Sequence, residues 1–202
     1  LALSVVSSVL NLAETRIIEA HFPMRKTRQD NNKHDLQKLW NETVTILTDH
    51  LQQGADVAFI TLGDPALYST YFYLHDELCR HIPELIIEII PGITSVSAAA
   101  ALANMPLGLG DEKIAILPAI YGGNLKTILA EFDTVVLMKV HSVFETILPV
   151  LRELNLESNC VYVSRVGMPD ERIIYDISTV TANDLTYFSL LIVRRRSLYV
   201  QT

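Results

Sequence analysis

Cysteine is scarce in this chain and positive charge is outnumbered, and each shortage excludes a class of protein. The 202 residues include two cysteines, Cys79 and Cys160, far apart and in no CxxC pair, so neither a disulfide framework nor a structural zinc site is expected. Lys and Arg number 16 against 23 Asp and Glu, giving a net charge of −7. Nothing would neutralise a phosphate backbone over a broad face, which argues against a general nucleic-acid binder while leaving room for a local basic pocket. Long hydrophobic runs are missing too. Glu, Asp, Gly or Pro interrupts every apolar stretch well short of a membrane span, and no signal-peptide pattern opens the chain. The expectation is a cytoplasmic protein with reduced thiols and with neither a membrane nor a nucleic acid as partner.

Several chemistries also lack their residues. There is no Gly-x-Gly-x-x-Gly fingerprint and no Gly-Lys-Ser/Thr phosphate loop. No Ser, His and Asp set stands in a nucleophile-elbow context. His75, Cys79 and His81 are close in sequence, and the first two can share a helix face. Without a carboxylate or second Cys at ligand spacing, however, metal binding is not expected. No catalytic acid or base stands out, and no internal repeat or low-complexity segment is seen. Leu1-Ala2-Leu3 follows no initiator Met and drops straight into an apolar helical pattern, so an upstream segment is expected.

What is present is a chain half hydrophobic, enough for one substantial core or two small ones. Its centre is the run Asp56 to Thr70, in which the apolar Val57-Ala58-Phe59-Ile60 stops at Gly63-Asp64-Pro65. The run reads as a strand buried on both faces, and the turn as the loop beyond its carboxyl end, where open α/β sheets bind ligands. Gly63 permits a sharp turn and close approach to a ligand, and Ser69 or Thr70 can cap a helix from Tyr71 to His81. A second strand is predicted over Leu85–Ile90, followed by Pro91-Gly92-Ile93-Thr94-Ser95 and a helix through Ala98-Ala99-Ala100-Ala101. That helix begins with free N–H groups and hydroxyls near Thr94 and Ser95. An ordinary βα loop and a plain N-cap explain the same residues.

Around this centre, Leu3, Val6, Leu10 and Ala13 predict a first helix, Thr15–Phe22 a strand, and Arg25–His34 a mobile, charged loop that is a candidate lid. Leu36, Leu39, Trp40, Val44, Leu47 and Leu51 mark one face of a helix ending near Gly54, with Trp40 in the core. Gly108-x-Gly110 reads as a linker, placing a boundary between domains 1–109 and 110–202. Beyond it, strands are predicted at Lys113–Leu117, Thr134–Val140, Cys160–Arg165, Ile173–Ile177 and Tyr187–Arg194. Helices are predicted at Asn124–Glu131 and Ser142–Leu154. The last three strands are too closely linked for crossover helices, so parallel and antiparallel pairing must mix. Arg194-Arg195-Arg196 reads as a solvated strand end that can also face an anion.

Leu62-Gly63-Asp64-Pro65-Ala66-Leu67-Tyr68-Ser69-Thr70, together with Ile90-Pro91-Gly92-Ile93-Thr94-Ser95 and its Ala-rich helix, resembles the tetrapyrrole methylase superfamily. Further stretches resemble the branch that methylates C20 of precorrin-2 or its cobalt-containing counterpart in cobalamin synthesis. These are Tyr68-Ser69-Thr70, Gly110-Asp111-Glu112 with Ile116-Leu117-Pro118-Ala119, Val136-Leu137-Met138-Lys139, and Tyr187 to Arg195. The likeness runs almost end to end. It departs at the beginning, since the family opens with a strand and a Gly-x-Gly-Pro-Gly-Asp loop that this chain does not show.

The resemblance implies two α/β domains with S-adenosylmethionine in the trough between them, S-adenosylhomocysteine as product, and a homodimer. The high apolar fraction of a chain divided into small domains also suits a dimer. Carried over by position, Gly63, Asp64 and Pro65 contact the methionine end, with Tyr68 and Ser69 beside them. Thr94 and Ser95 form the turn after Pro-Gly, and Met138 is an interdomain cofactor contact. A tetrapyrrole carries many carboxylates, for which Lys113, Lys139, Arg165, Arg172 and the 25–34 loop are candidate partners. A sister methylase with another target carbon, or an α/β enzyme with a different nucleotide cofactor, fits parts of the same pattern.

Overall fold

The computed structural model describes residues 2–19, 33–121 and 124–196, and by packing the chain divides into Leu1–Ile93 and Thr94–Thr202. In the first unit the helices are α1 (Ala2–Val9), which ends short of the expected Leu10 and Ala13, α2 (Lys33–Gln52) and α3 (Tyr71–His81). Val44 and Leu47 of α2 pack on Leu74 and Leu78 of α3, with Leu51, Phe59 and Leu85 against them. Burial of each such side chain favours folding by roughly 1.5–3 kcal/mol, which is why the apolar stripes face one another. Trp40 lies against Tyr73, ring centroids 4.8 Å apart, in keeping with a packing role. Arg80 falls in the last turn of α3, where its charge complements the helix dipole.

Among the described residues the strands predicted in this unit are not formed. Residues 16–19, 56–61 and 85–90 belong to no ladder among the described residues. A strand exists only through hydrogen bonds to a neighbour, and a short apolar run reports a tendency to be buried, not the presence of that neighbour. Without one, Ile86 is 95% exposed and Ile90 74% exposed. The expected strand beyond Glu19 and the expected loop from Arg25 to Asn32 lie outside the described residues, and Lys33 and His34 already belong to α2.

In the second unit the expected alternation is present. It comprises α4 (Ser95–Leu102), β1 (Ile114–Pro118), α5 (Leu125–Glu131), β2 (Thr134–Met138), α6 (Phe144–Glu153), β3 (Cys160–Ser164), β4 (Arg172–Ile174) and β5 (Ser189–Arg194). The five strands form one sheet in the order β1-β2-β5-β3-β4. β1 and β2 are parallel, joined through α5, and every other pairing is antiparallel. The α/β class and the mixed pairing therefore hold. Leu137, Tyr162 and Leu191 from the sheet meet Leu129 of α5 and Phe144, Ile147 and Leu151 of α6 in one core. Every residue of β3 and β5 is buried, as the continuous apolar strings predict.

The Arg194-Arg195-Arg196 run departs from expectation at its first residue. Arg194 is buried, not solvated: its guanidinium meets Glu112 at 2.8 Å, and both side chains are 2% exposed. Thr134 Oγ1 and the Pro106 and Leu107 carbonyls accept from the same guanidinium. A charge is stable in a core only when paired and hydrogen-bonded, and Glu112 supplies that condition.

Candidate functional site

Two turns of the first unit form one structure. Gly63 adopts φ +73°, the left-handed conformation that glycine accepts at little cost. An added Cβ would meet the Ile93 carbonyl oxygen at 3.7 Å, an ordinary van der Waals contact. Asp64 turns its carboxylate inward: Oδ1 accepts from the Ala66 N–H at 2.7 Å and Oδ2 from the Gly92 N–H at 3.0 Å. A Cβ on Gly92 would lie 2.3 Å from the Gly63 carbonyl oxygen, so the two backbones touch where only glycine fits. The turns adjoin an open groove of about 860 Å³ whose lining includes Gly63, Pro65, Phe59, Leu74 and Ile87.

The neighbouring residues of the first turn are fixed by local bonds. Tyr68 is held at φ 54°, unusual for a non-glycine residue, and burial pushes its hydroxyl pKa up. Thr70 occupies the N-cap position of α3 but makes no side-chain cap bond, and Ser69 Oγ accepts from the Tyr71 N–H at 3.1 Å instead. In the second unit Thr94 is the N-cap of α4, its hydroxyl accepting from the Ser97 N–H at 3.0 Å. Ser95 is the first residue of that helix, and Met138, half-buried, is the last of β2.

Strand direction sorts the basic candidates. The registers place the carboxyl ends of β1, β2 and β3 together with the beginnings of β4 and β5. Lys139 and Arg165 follow β2 and β3 at that end, both with positive φ, and their N–H groups donate to the Ser189 and Phe188 carbonyls at 2.8 Å. Arg172, pairing with Ser164, begins β4 at the same end. Lys113 precedes β1 at the opposite end, so the sheet does not group it with the other three.

The arginines at this end are already held. Arg165 meets Asp170 at 2.6 Å, and Arg172 meets Asp184 at 3.2 Å. The hydrogen bond from Arg165 lowers the pKa of Asp170, and bonds from Thr181, with Arg172 as a smaller cause, lower that of Asp184. Lys139 Nζ lies 5.4 Å above the Tyr187 ring, and among the described residues it forms no ion pair. His75 Nε2 and Cys79 Sγ do share a helix face at 3.9 Å, yet no set of three His, Cys, Asp or Glu suited to a metal occurs among the described residues.

Residues 2–181 match the model of the Tetrapyrrole (Corrin/Porphyrin) Methylases, and the chain belongs to that family. A cobalt-precorrin-2 C(20)-methyltransferase of Salmonella typhimurium is 32% identical over 203 residues, spanning 100% of this chain and 82% of that protein. A precorrin-2 C(20)-methyltransferase of a Sinorhizobium species is 31% identical across 80% of this chain and 64% of its own length. Among solved structures, a cobalt precorrin-4 methyltransferase superposes with a TM-score of 0.65 at 23% identity, covering 77% of this chain and 70% of its own. Uroporphyrin-III C-methyl transferase from Thermus thermophilus, complexed with S-adenosylhomocysteine, gives 0.55 at 20% identity with 80% of each chain covered. These two likenesses show the fold. No helix among the described residues is long and apolar enough to cross a membrane.

Nothing in the amino-acid sequence marks Gly92 as a partner of Asp64 or Glu112 as a partner of Arg194. The separations are 28 and 82 residues, and no local signal spans them.

Proposed function

We propose that this chain is an S-adenosylmethionine-dependent methyltransferase acting on C20 of precorrin-2 or cobalt-factor II in cobalamin biosynthesis. The observation that carries this is its end-to-end likeness to a protein named for that position, at 32% identity over the whole chain. The cofactor is supported by family membership and by the S-adenosylhomocysteine complex of the Thermus relative. The residues present fit such a group: an exposed Gly63 turn adjoins a largely apolar groove, offering backbone polar groups and an apolar wall.

In this reading Gly63, Asp64, Pro65, Tyr68, Ser69, Thr94, Ser95 and Met138 are the cofactor-binding residues. The bound cofactor supplies an electrophilic methyl on a sulfonium. The chain's own task is alignment, and orientation of reactants accounts for roughly 7–11 kcal/mol of barrier in favourable cases, so no strong base is required. Lys139, Arg165 and Arg172, gathered at one sheet end, pair with carboxylates of the macrocycle, whereas Lys113 would need a separate contact. A cytoplasmic homodimer with functional domains 1–109 and 110–202 completes the proposal, and light scattering at micromolar concentration tests the dimer.

The deciding experiment is incubation with methyl-labelled S-adenosylmethionine and each of the two macrocycles, followed by carbon NMR of the product. Label at C20 is the expected result. Label at another carbon makes the chain a sister methylase, and transfer to neither substrate ends the reading.

A further inference from the structure

We infer that Asp64 is a positioning residue: it ties the Gly63-Asp64-Pro65 turn to the Pro91-Gly92 turn so that both present their backbone to the cofactor as one preformed unit. This rests on the cofactor site proposed above but assigns Asp64 a different task from touching the ligand. Both carboxylate oxygens are engaged with backbone N–H groups, Oδ1 with Ala66 at 2.7 Å and Oδ2 with Gly92 at 3.0 Å. The second bond crosses 28 residues and joins two loops that no ladder joins among the described residues.

The backbone contact makes the tie specific. At Gly92 an ideal Cβ would stand 2.3 Å from the Gly63 oxygen, 3.1 Å from its carbonyl carbon and 3.6 Å from the Asp64 Cα. The turns therefore meet main chain to main chain, and the carboxylate clasps them at the point of contact. Charge-assisted bonds from a carboxylate to backbone N–H groups are roughly twice as strong as neutral ones. Two exposed loops fixed beforehand lose less conformational freedom when a ligand arrives, which raises affinity without any new contact.

Asparagine is nearly isosteric but has a single acceptor oxygen, so Asp64→Asn keeps one of the two bonds and turns an amide donor against the other N–H. On the full-length protein, verified as folded by circular dichroism, calorimetry should show S-adenosylhomocysteine binding about 10- to 100-fold weaker. Hydrogen exchange at the Gly92 amide, followed by NMR without ligand, should accelerate in the same variant.

A double-mutant cycle with Gly92→Ala separates positioning from direct contact. If Asp64 acts through the paired turns, adding Asp64→Asn to Gly92→Ala costs little more than Gly92→Ala alone, whereas a direct contact makes the two losses multiply. Steady-state kinetics should show the KM for S-adenosylmethionine rising while the KM for the macrocycle stays put. Unchanged affinity in Asp64→Asn, multiplying losses, or unchanged Gly92 exchange would each overturn the inference. Wild-type protein that bound no S-adenosylhomocysteine would instead remove the cofactor site, and the exchange measurement would still decide whether Asp64 ties the turns.

Discussion

The two ends of the five-stranded sheet are built on opposite principles. At one end Arg194 and Glu112 are sealed in the core, each 2% exposed, with Thr134 and two loop carbonyls also accepting from the guanidinium. At the other end Lys139, Arg165 and Arg172 stand at strand termini, and Arg172 is 61% exposed although its partner Asp184 is only 8% exposed. Charge at the sealed end has no solvent to fall back on and holds the 106–112 segment to the sheet. Charge at the open end sits on positive-φ or edge backbone, and Arg172 there is largely in solvent. The difference teaches that ion pairs of similar length, 2.8 and 2.6 Å, carry unlike duties according to burial.

Breaking the sealed pair gives the largest expected effect. Arg194→Ala removes the buried partner of Glu112, leaving it Arg196 at 3.4 Å and the Leu109 N–H at 2.8 Å, and should cost about 3 kcal/mol, read as a shift of the urea midpoint with unchanged slope. The pair is also the clearest case of what the sequence hides. Three arginines in a row look solvated, and only Glu112, 82 residues away, makes the first of them an interior residue. By contrast the helix Tyr71–His81 was legible to the residue, because its apolar spacing and flanking Ser69, Thr70 and Pro83 are local. The buried strands β2, β3 and β5 were legible as continuous apolar runs that find neighbours in their own unit. Val57–Ile60 and Leu85–Ile90 carry the same signal yet form no ladder among the described residues, since a run of apolar residues cannot name its partner. Of the candidate site, the two turns were legible as motifs, while their union through Asp64 and Gly92 was not.

Acid should affect the open end through Asp184. Its carboxylate accepts from Thr181 Oγ1 at 2.7 Å and the Thr181 N–H at 2.9 Å and meets Arg172, all of which hold its folded pKa below the ordinary 3.8. A depressed carboxylate contributes stability that is fully present above the unfolded value and is lost as pH falls through the folded one. Wild type should therefore lose stability progressively below pH 3.8, and Asp184→Asn should flatten that part of the curve while lowering the plateau at neutral pH. Denaturation series at stepped pH check both; a parallel curve in the variant would remove Asp184 as a source of the acid dependence.

Lys139→Gly sharpens the contrast between strain and stability. Lys139 sits at φ 59°, ψ 43°, a conformation that costs a non-glycine residue about 1 kcal/mol. Glycine relieves that cost but frees the unfolded chain, so the net change in stability should stay within about 1 kcal/mol of zero. Loss of the ammonium should meanwhile raise the KM for the macrocycle. A thermal melt and a steady-state assay on one preparation test both halves, and a large loss of stability would mean that Lys139 is structural.

Arg172→Ala should perturb the fold least. Its side chain is 61% exposed and its contact with Asp184 is 3.2 Å, so solvent already screens the pair and the loss should be below about 1 kcal/mol. Asp184 Oδ2 keeps both bonds from Thr181, while Oδ1 loses the arginine it meets. The consequence for catalysis should be of another kind, because a cation that pins one carboxylate of a rigid macrocycle sets which meso carbon faces the methyl group. Removing it should raise the KM for the macrocycle, or spread the label over more than one carbon, while a correctly placed complex still reacts at nearly the wild-type rate. Single-turnover rates beside carbon NMR of the labelled product separate these effects. If kcat fell by orders of magnitude with KM and label position unchanged, Arg172 would act in the transition state itself, and the open end of the sheet would be a catalytic surface instead of a docking one.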